Sequence, residues 1–319
     1  MKSRRAGYRP ASCEVLEDRA VPSGGLGPIG ALGDSYTDEY RFYPPDRSSA
    51  RNWVEILSAT HRANFGPFSL KSRGEPRDQG FAFNWARSDS TSSDAFVNQL
   101  PGLSRQVARG QVKTAWIFTG GNDFLFYLEG VVQSGQLGSA ASVAGLDTVS
   151  LNAEENFTAT VNTLLAANPN VRLVVATVPD VNLLPIVRQF DGVPAAQPLL
   201  STASAAIGQY DEFIRGIAHS HPSRIAVADI QQASAQILAA GPTATFGGTS
   251  VNLVTPGDNY HDFFVADGIH VGTIGQGIIA DTFIQAVDTT FGAHIRPLSP
   301  AQIVHIARYV QTPAGRRLP

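Results

Sequence analysis

Pro28-Ile29-Gly30-Ala31-Leu32-Gly33-Asp34-Ser35-Tyr36-Thr37-Asp38-Glu39-Tyr40 decides the reading of this 319-residue chain. Its first part is a short apolar run and its second is polar turn chemistry. A serine just after Gly-Asp, at the exit of a predicted strand, stands where an α/β enzyme places a nucleophile. Serine is weak unaided. The rest of the chain must supply a base, a group that orients the base, and donors for an oxyanion.

Working outward, apolar runs flanked by turn signals predict further strands at Thr114–Thr119, Val171–Thr177 and Ile225–Ile230, besides Ile29–Gly33. Helical periodicity lies between and after them. Trp53, Val54, Ile56 and Leu57 form one apolar face, and Phe157, Val161, Leu164 and Leu165 another. Ala206–Ala218 and Ile274–Val287 follow the same pattern. Strands alternating with helices predict an α/β fold whose mostly parallel sheet is covered on both faces. Ligands of such sheets bind beyond the carboxyl ends of the strands, where Ser35 and Gly120 fall.

Composition narrows the function classes. Hydrophobic residues at 43% and charged residues at 16% describe an ordinary globule with a sizeable core. A net charge of −3 gives no reason to expect a nucleic-acid partner. No apolar run approaches the roughly 20 residues of a membrane-spanning helix. The single cysteine, Cys13, excludes a disulfide framework and a multi-thiolate metal site. Met1 to Arg9 carries Lys2, Arg4, Arg5 and Arg9, but the apolar stretch of a secretory signal does not follow. The domain is expected to start near Gly27, after a basic segment 1–26.

Three further strings supply what Ser35 needs. Thr119-Gly120-Gly121-Asn122-Asp123 follows a strand; its glycines allow close backbone approach, and the asparagine amide can donate to an oxyanion. Asp267-Gly268-Ile269-His270 places an acid three residues before a histidine, so that Asp267 can accept from Nδ1 while Nε2 takes the serine proton. The third string is Asn84-Trp85-Ala86-Arg87-Ser88-Asp89-Ser90-Thr91-Ser92. Alone, Gly-Asp-Ser and Gly-Gly-Asn-Asp are common turns, and Asp-x-x-His is a common surface pair. Together and in this order they point to one mechanism.

The chain resembles the SGNH (GDSL) hydrolase superfamily from about Ile29 to Ile284. The resemblance implies a flavodoxin-like three-layer α/β/α sandwich and an esterase, lipase or acyl-hydrolase activity, with 27–290 as the hydrolase domain and 291–319 as a C-terminal extension. It assigns Ser35 as nucleophile and backbone oxyanion donor, Asn122 as side-chain donor, Asp267 as orienting acid and His270 as general base. Asn52-Trp53-Val54, Val178-Pro179-Asp180, Asp229 and Thr273-Ile274-Gly275-Gln276-Gly277 are similar to family blocks too. The implied substrate is a small-molecule or polysaccharide ester, with no metal or organic cofactor. A carbohydrate acetylesterase and a catalytically weak binding module are the alternatives. Cys13–Ser23 resembles the short LExR-type segment of exported or cell-surface bacterial proteins; a basic tail explains it equally.

One position departs from the family pattern. Where a glycine N–H normally gives the third oxyanion contact, this chain aligns Asp89. Aspartate tolerates left-handed φ better than most residues. Its carboxylate, held about 4 Å from an oxyanion at an effective dielectric near 20, costs roughly 4 kcal/mol. That equals the loss of a whole donor, about 2.7–4 kcal/mol. The expectation is therefore that the Asp89 side chain turns to solvent.

Other signals have blander readings. Tyr36, Tyr40, Phe42 and Tyr43 either form a platform for substrate or pack their loop onto the domain. Arg41, Arg47 and Arg51, then Lys71, Arg73 and Arg77, border the cleft and either favour an anionic substrate or, more commonly for such residues, are solvated loop charges. Gly121, Tyr36 and His261 are candidates for the substrate mouth. His219 and His221, at a helix end, suit the helix dipole rather than a metal.

Overall fold

A computed structural model describes residues 26–71, 79–312 and 314–315. The basic N-terminal segment, Arg73, Arg77 and most of the C-terminal tail lie outside the described residues.

The strands are β1 (Ile29–Gly33), β2 (Phe68–Ser69), β3 (Gly80–Phe81), β4 (Thr114–Phe118), β5 (Arg172–Ala176), β6 (Ile225–Ala228), β7 (Thr243–Phe246) and β8 (Thr249–Asn252). The helices are α1 (Trp53–Ala59), α2 (Ser92–Asp94), α3 (Leu100–Ala108), α4 (Gly121–Gln133), α5 (Ala140–Ala167), α6 (Pro185–Arg188), α7 (Gln197–Ser220), α8 (Ile230–Leu238), α9 (Thr273–Phe291) and α10 (Pro300–Val310). Strands β1, β4, β5 and β6 form one parallel sheet in that spatial order. The remaining pairs, β2–β3 and β7–β8, are small antiparallel ribbons.

The apolar strand runs are explained by burial on both faces: every residue of β1 and β4 is buried. Helices α1 and α9 pack together, and α3, α4 and α7 pack on α5. The result is a mixed α/β fold with a parallel sheet between helical layers. Under the sheet, Trp53, Trp116 and Phe283 stack with ring centroids 4.4–5.5 Å apart. Truncating such a buried aromatic costs about 3–5 kcal/mol. No helix among the described residues is long and apolar enough to cross a membrane.

Asn52 caps α1 through a capping box with Glu55, which gives the Asn-Trp-Val string a local role. The segment after residue 290 contributes Leu298, Ile303, Val304 and Ala307 to the main core. Gly247-Gly248 makes the β7–β8 turn, with positive φ at both residues.

Candidate active site

The site grows from the carboxyl ends of β1 and β4. At the end of β1, a Cβ on Gly33 would lie 2.5 Å from the Phe118 carbonyl oxygen, so only glycine lets the chain turn there. Asp34 then accepts from the Tyr36 N–H at 2.9 Å, an Asx-type turn that presents Ser35. The Ser35 N–H meets no acceptor among the described residues. At the end of β4, Gly120 has φ +113° and starts α4, and a Cβ there would collide with the Tyr210 ring. Asn122 follows in the first turn of α4.

The 87–92 loop is tied beside Ser35 by side chains remote in sequence. Gln99 donates through Nε2 to the Gly33 carbonyl at 2.8 Å and to Ser90 Oγ at 3.0 Å, and its Oε1 accepts from the Gly33 N–H. Arg47 donates to the Ser35 carbonyl at 3.3 Å and to Ser88 Oγ at 2.9 Å. Asn122 donates to the Ser90 carbonyl at 3.0 Å, and Asp123 accepts from Ser92 Oγ and N–H at 2.6 and 2.8 Å. Asp89 sits in this strapped turn at φ +63°, exposed, its N–H without an acceptor among the described residues. The backbone here is left-handed and the residue is open to solvent.

His270 is held by Asp267. Nδ1 lies 2.6 Å from Asp267 Oδ2, while Oδ1 accepts from the His270 and Ile269 N–H groups at 2.9 and 2.8 Å. Burial pushes the Asp267 carboxyl up, but these hydrogen bonds and the histidine's charge outweigh it and leave it below its ordinary value. Nε2 of His270 is buried and has no hydrogen-bond partner among the described residues. Tyr36 and Tyr40 hold the ring, each with its centroid 5.8 Å away. The Tyr36 hydroxyl donates to the Ile269 carbonyl at 2.7 Å, and the Tyr40 hydroxyl accepts from Gln276.

Beside these residues lies an open space of about 430 Å³, solvent included, lined by Asp34, Tyr36, Gly121, Asn122, Leu125 and Ile269 among others. Burial drives the Asp34 carboxyl up to about 7, with the nearby Asp123 charge adding to it.

The match of the family model for GDSL-like lipase/acylhydrolases covers residues 31–277. The chain belongs to that family. This GDSL-family protein is a hydrolase acting on ester bonds. Its structure is similar to an extracellular lipase from Streptomyces rimosus, 17% identical with a TM-score of 0.49, over 82% of this chain and 99% of that one. Phospholipase A1 from Streptomyces albidoflavus is 16% identical with a TM-score of 0.46, over 83% and 99%. A family 3 carbohydrate esterase from Talaromyces cellulolyticus is 19% identical with a TM-score of 0.43, over 83% and 99%. These likenesses are too distant for a substrate to be read from them. No curated protein matches the sequence.

Of the mouth candidates, Gly121 and Tyr36 line the cleft and His261 is not among its lining residues; the His261 ring packs edge-on against Tyr260 at 5.1 Å and its carbonyl accepts from the Asn252 N–H. One expectation needs correction in the GDSL hydrolase. Arg47 and Arg51 are not solvated loop charges but buried residues, 6% and 5% exposed. Arg47 stacks 3.8 Å over the Tyr43 ring, and Arg51 donates to the Ser48 and Ala50 carbonyls. Arg51 also pairs with Glu55 at 3.5 Å, whereas the partners of Arg47 are a backbone carbonyl, a distant hydroxyl and aromatic rings, which a charge pattern does not reveal. The sequence pattern assigns no role to Gln99 or Asp123. Asp123 lies inside the quoted Gly-Gly-Asn-Asp string, whereas nothing local marks Gln99.

Proposed function

We propose that this hydrolase cleaves carboxylic esters through a covalent acyl-enzyme on Ser35. The observation that carries the proposal is the state of His270, with Nδ1 engaged by Asp267 at 2.6 Å and Nε2 buried without a partner among the described residues. A histidine so held is a base awaiting a proton, and the serine at the turn after β1 is the group we assign to give one.

Ser35 Oγ attacks the ester carbonyl carbon as its proton passes to Nε2, and Asp267 stabilises the imidazolium. The oxyanion is received by the N–H groups of Ser35 and Asp89 and by the Asn122 amide. Collapse of the tetrahedral intermediate expels the alcohol, which takes the proton from Nε2. Water then gives its proton to Nε2 and attacks the acyl-enzyme; the proton returns to Ser35 as the acid leaves.

An alkyl fluorophosphonate tests this directly. Labelling on Ser35 of the wild type, absent in Ser35→Ala, is the expected result. Equal silence of both proteins would instead support a binding module on a hydrolase fold.

A further inference from the structure

On the side of β1 away from β4, the 83–87 segment runs parallel to the strand. The Ala31 N–H donates to the Phe83 carbonyl, the Trp85 N–H to the Ala31 carbonyl, and the Arg87 N–H to the Gly33 carbonyl. The same spacing would give the Gly33 N–H the Trp85 carbonyl as its acceptor. It meets Gln99 Oε1 at 3.0 Å instead. Gln99 is wholly buried, and its Nε2 donates both to the Gly33 carbonyl at 2.8 Å and to Ser90 Oγ at 3.0 Å. One side-chain amide therefore stands in for a strand residue beside the Ser35 turn and holds the Asp89 turn as well. Gln99 closes the π-helical turn Ala95–Gln99, in which the Leu100 N–H bonds the Ala95 carbonyl. Such turns are rare in helices and frequent at functional sites.

We propose that Gln99 is a positioning residue for the oxyanion pocket, setting the span between the Ser35 and Asp89 N–H groups. The proposal rests on the acyl-enzyme reading and adds to it a residue that acts only through its two neighbours. Ser35 lies two residues after Gly33 and Asp89 one before Ser90, so the amide grips each turn close to the N–H that turn carries. Neither N–H has an acceptor among the described residues. Asp89 holds φ +63°, a backbone that an L side chain keeps only where its surroundings impose it. Gln99 and Asn122 impose it by holding Ser90 at two atoms, the hydroxyl and the carbonyl oxygen. Gln106, seven residues on in α3, is the contrasting case. It accepts from the Trp85 indole N–H and donates to the Ala82 carbonyl, on the same neighbouring segment, but reaches neither turn.

The test compares Gln99→Glu, Gln99→Leu, Ser90→Ala and Gln106→Leu in the full chain, by kinetics on p-nitrophenyl butyrate and by inhibition with butylboronic acid. The tetrahedral adduct of the boronic acid on Ser35 puts an oxygen where the oxyanion forms. Both Gln99 variants are expected to lose about 10–100-fold in kcat with KM nearly unchanged, and to weaken the boronic acid by a similar factor. Ser90→Ala keeps both bonds to Gly33 and should lose about three- to tenfold in each measure. Gln106→Leu is expected to lower the melting temperature while kcat and inhibition stay within about twofold of wild type. Folded Gln99 variants with wild-type kcat overturn the proposal. So does a fall in kcat that leaves boronic acid inhibition unchanged, or an equal loss in Gln106→Leu. If neither Gln99 variant folds, Ser90→Ala decides, and wild-type kcat and inhibition there overturn it. A wild type that cleaves no ester and is not labelled at Ser35 by a fluorophosphonate refutes the acyl-enzyme reading itself, and the proposal falls with it.

Discussion

Asn122 donates one amide N–H to the Ser90 carbonyl at 3.0 Å, so the side chain proposed as one oxyanion donor also fixes the turn that carries the other proposed donor. Asp89 precedes Ser90 in that turn, and its own N–H is left without an acceptor among the described residues. The two donors are thereby coupled. Asn122→Ala is expected to cost more than the roughly 10²–10³ in kcat of a single lost oxyanion donor. Steady-state kinetics on a short aryl ester give the number, and a loss below tenfold would show that Asn122 is not a donor.

Asp89 is expected to be nearly neutral for turnover. Because it is exposed, its carboxylate is screened by water rather than aimed at the oxyanion. Asp89→Gly should change kcat by less than about threefold. It should also stabilise the fold slightly, by up to about 1 kcal/mol, since glycine adopts φ +63° without strain. A tenfold rise in kcat would instead place the carboxylate against the developing charge.

Asp267→Asn removes the acceptor that fixes the histidine tautomer. A fall in kcat of about 10⁴ is expected, with little change in KM. The depressed carboxyl also makes a stability prediction. Its contribution is present above the unfolded carboxyl's range near 4 and is lost as pH falls through the lower folded value. The stability gap between wild type and Asp267→Asn should therefore close on acidification. Urea denaturation at pH 7 and pH 3 measures it.

Asp34 carries the opposite sign. Its folded carboxyl is raised from 3.8 to about 7, so the native state binds the extra proton between those values. Wild-type stability then falls as pH rises from about 4 to about 7. Asp34→Asn keeps the oxygen that accepts from the Tyr36 N–H and removes the titration. It should flatten the decline by up to about 4 kcal/mol. Identical slopes in the two proteins would mean that Asp34 is ionised throughout.

Much of the site was legible because its chemistry is local. The Asp267–His270 pair closes across three residues, and the Asn52 capping box does the same. Strand runs stood out because both faces of the sheet are buried. Helices α3 and α10 were harder to read. Pro101 and Pro300 stand in their first turns, where a missing N–H costs nothing but blurs the pattern. Helix α4 carries Gly130 within a strongly apolar stretch, which obscures its periodicity.

The sequence by itself determined the parallel α/β core, the family, and the candidates Ser35, Asn122, Asp267 and His270. Each depends on a short apolar run or on turn chemistry within a few residues. Tertiary structure alone decided what holds these groups together. Arg47 reaches Ser88 across 41 positions and Gln99 reaches Gly33 across 66. It also decided that Asp89 faces solvent and that His261 stands apart from the cleft. Bonds and cavities of this kind depend on which segments the fold brings side by side, and composition or spacing along the chain carries no record of that.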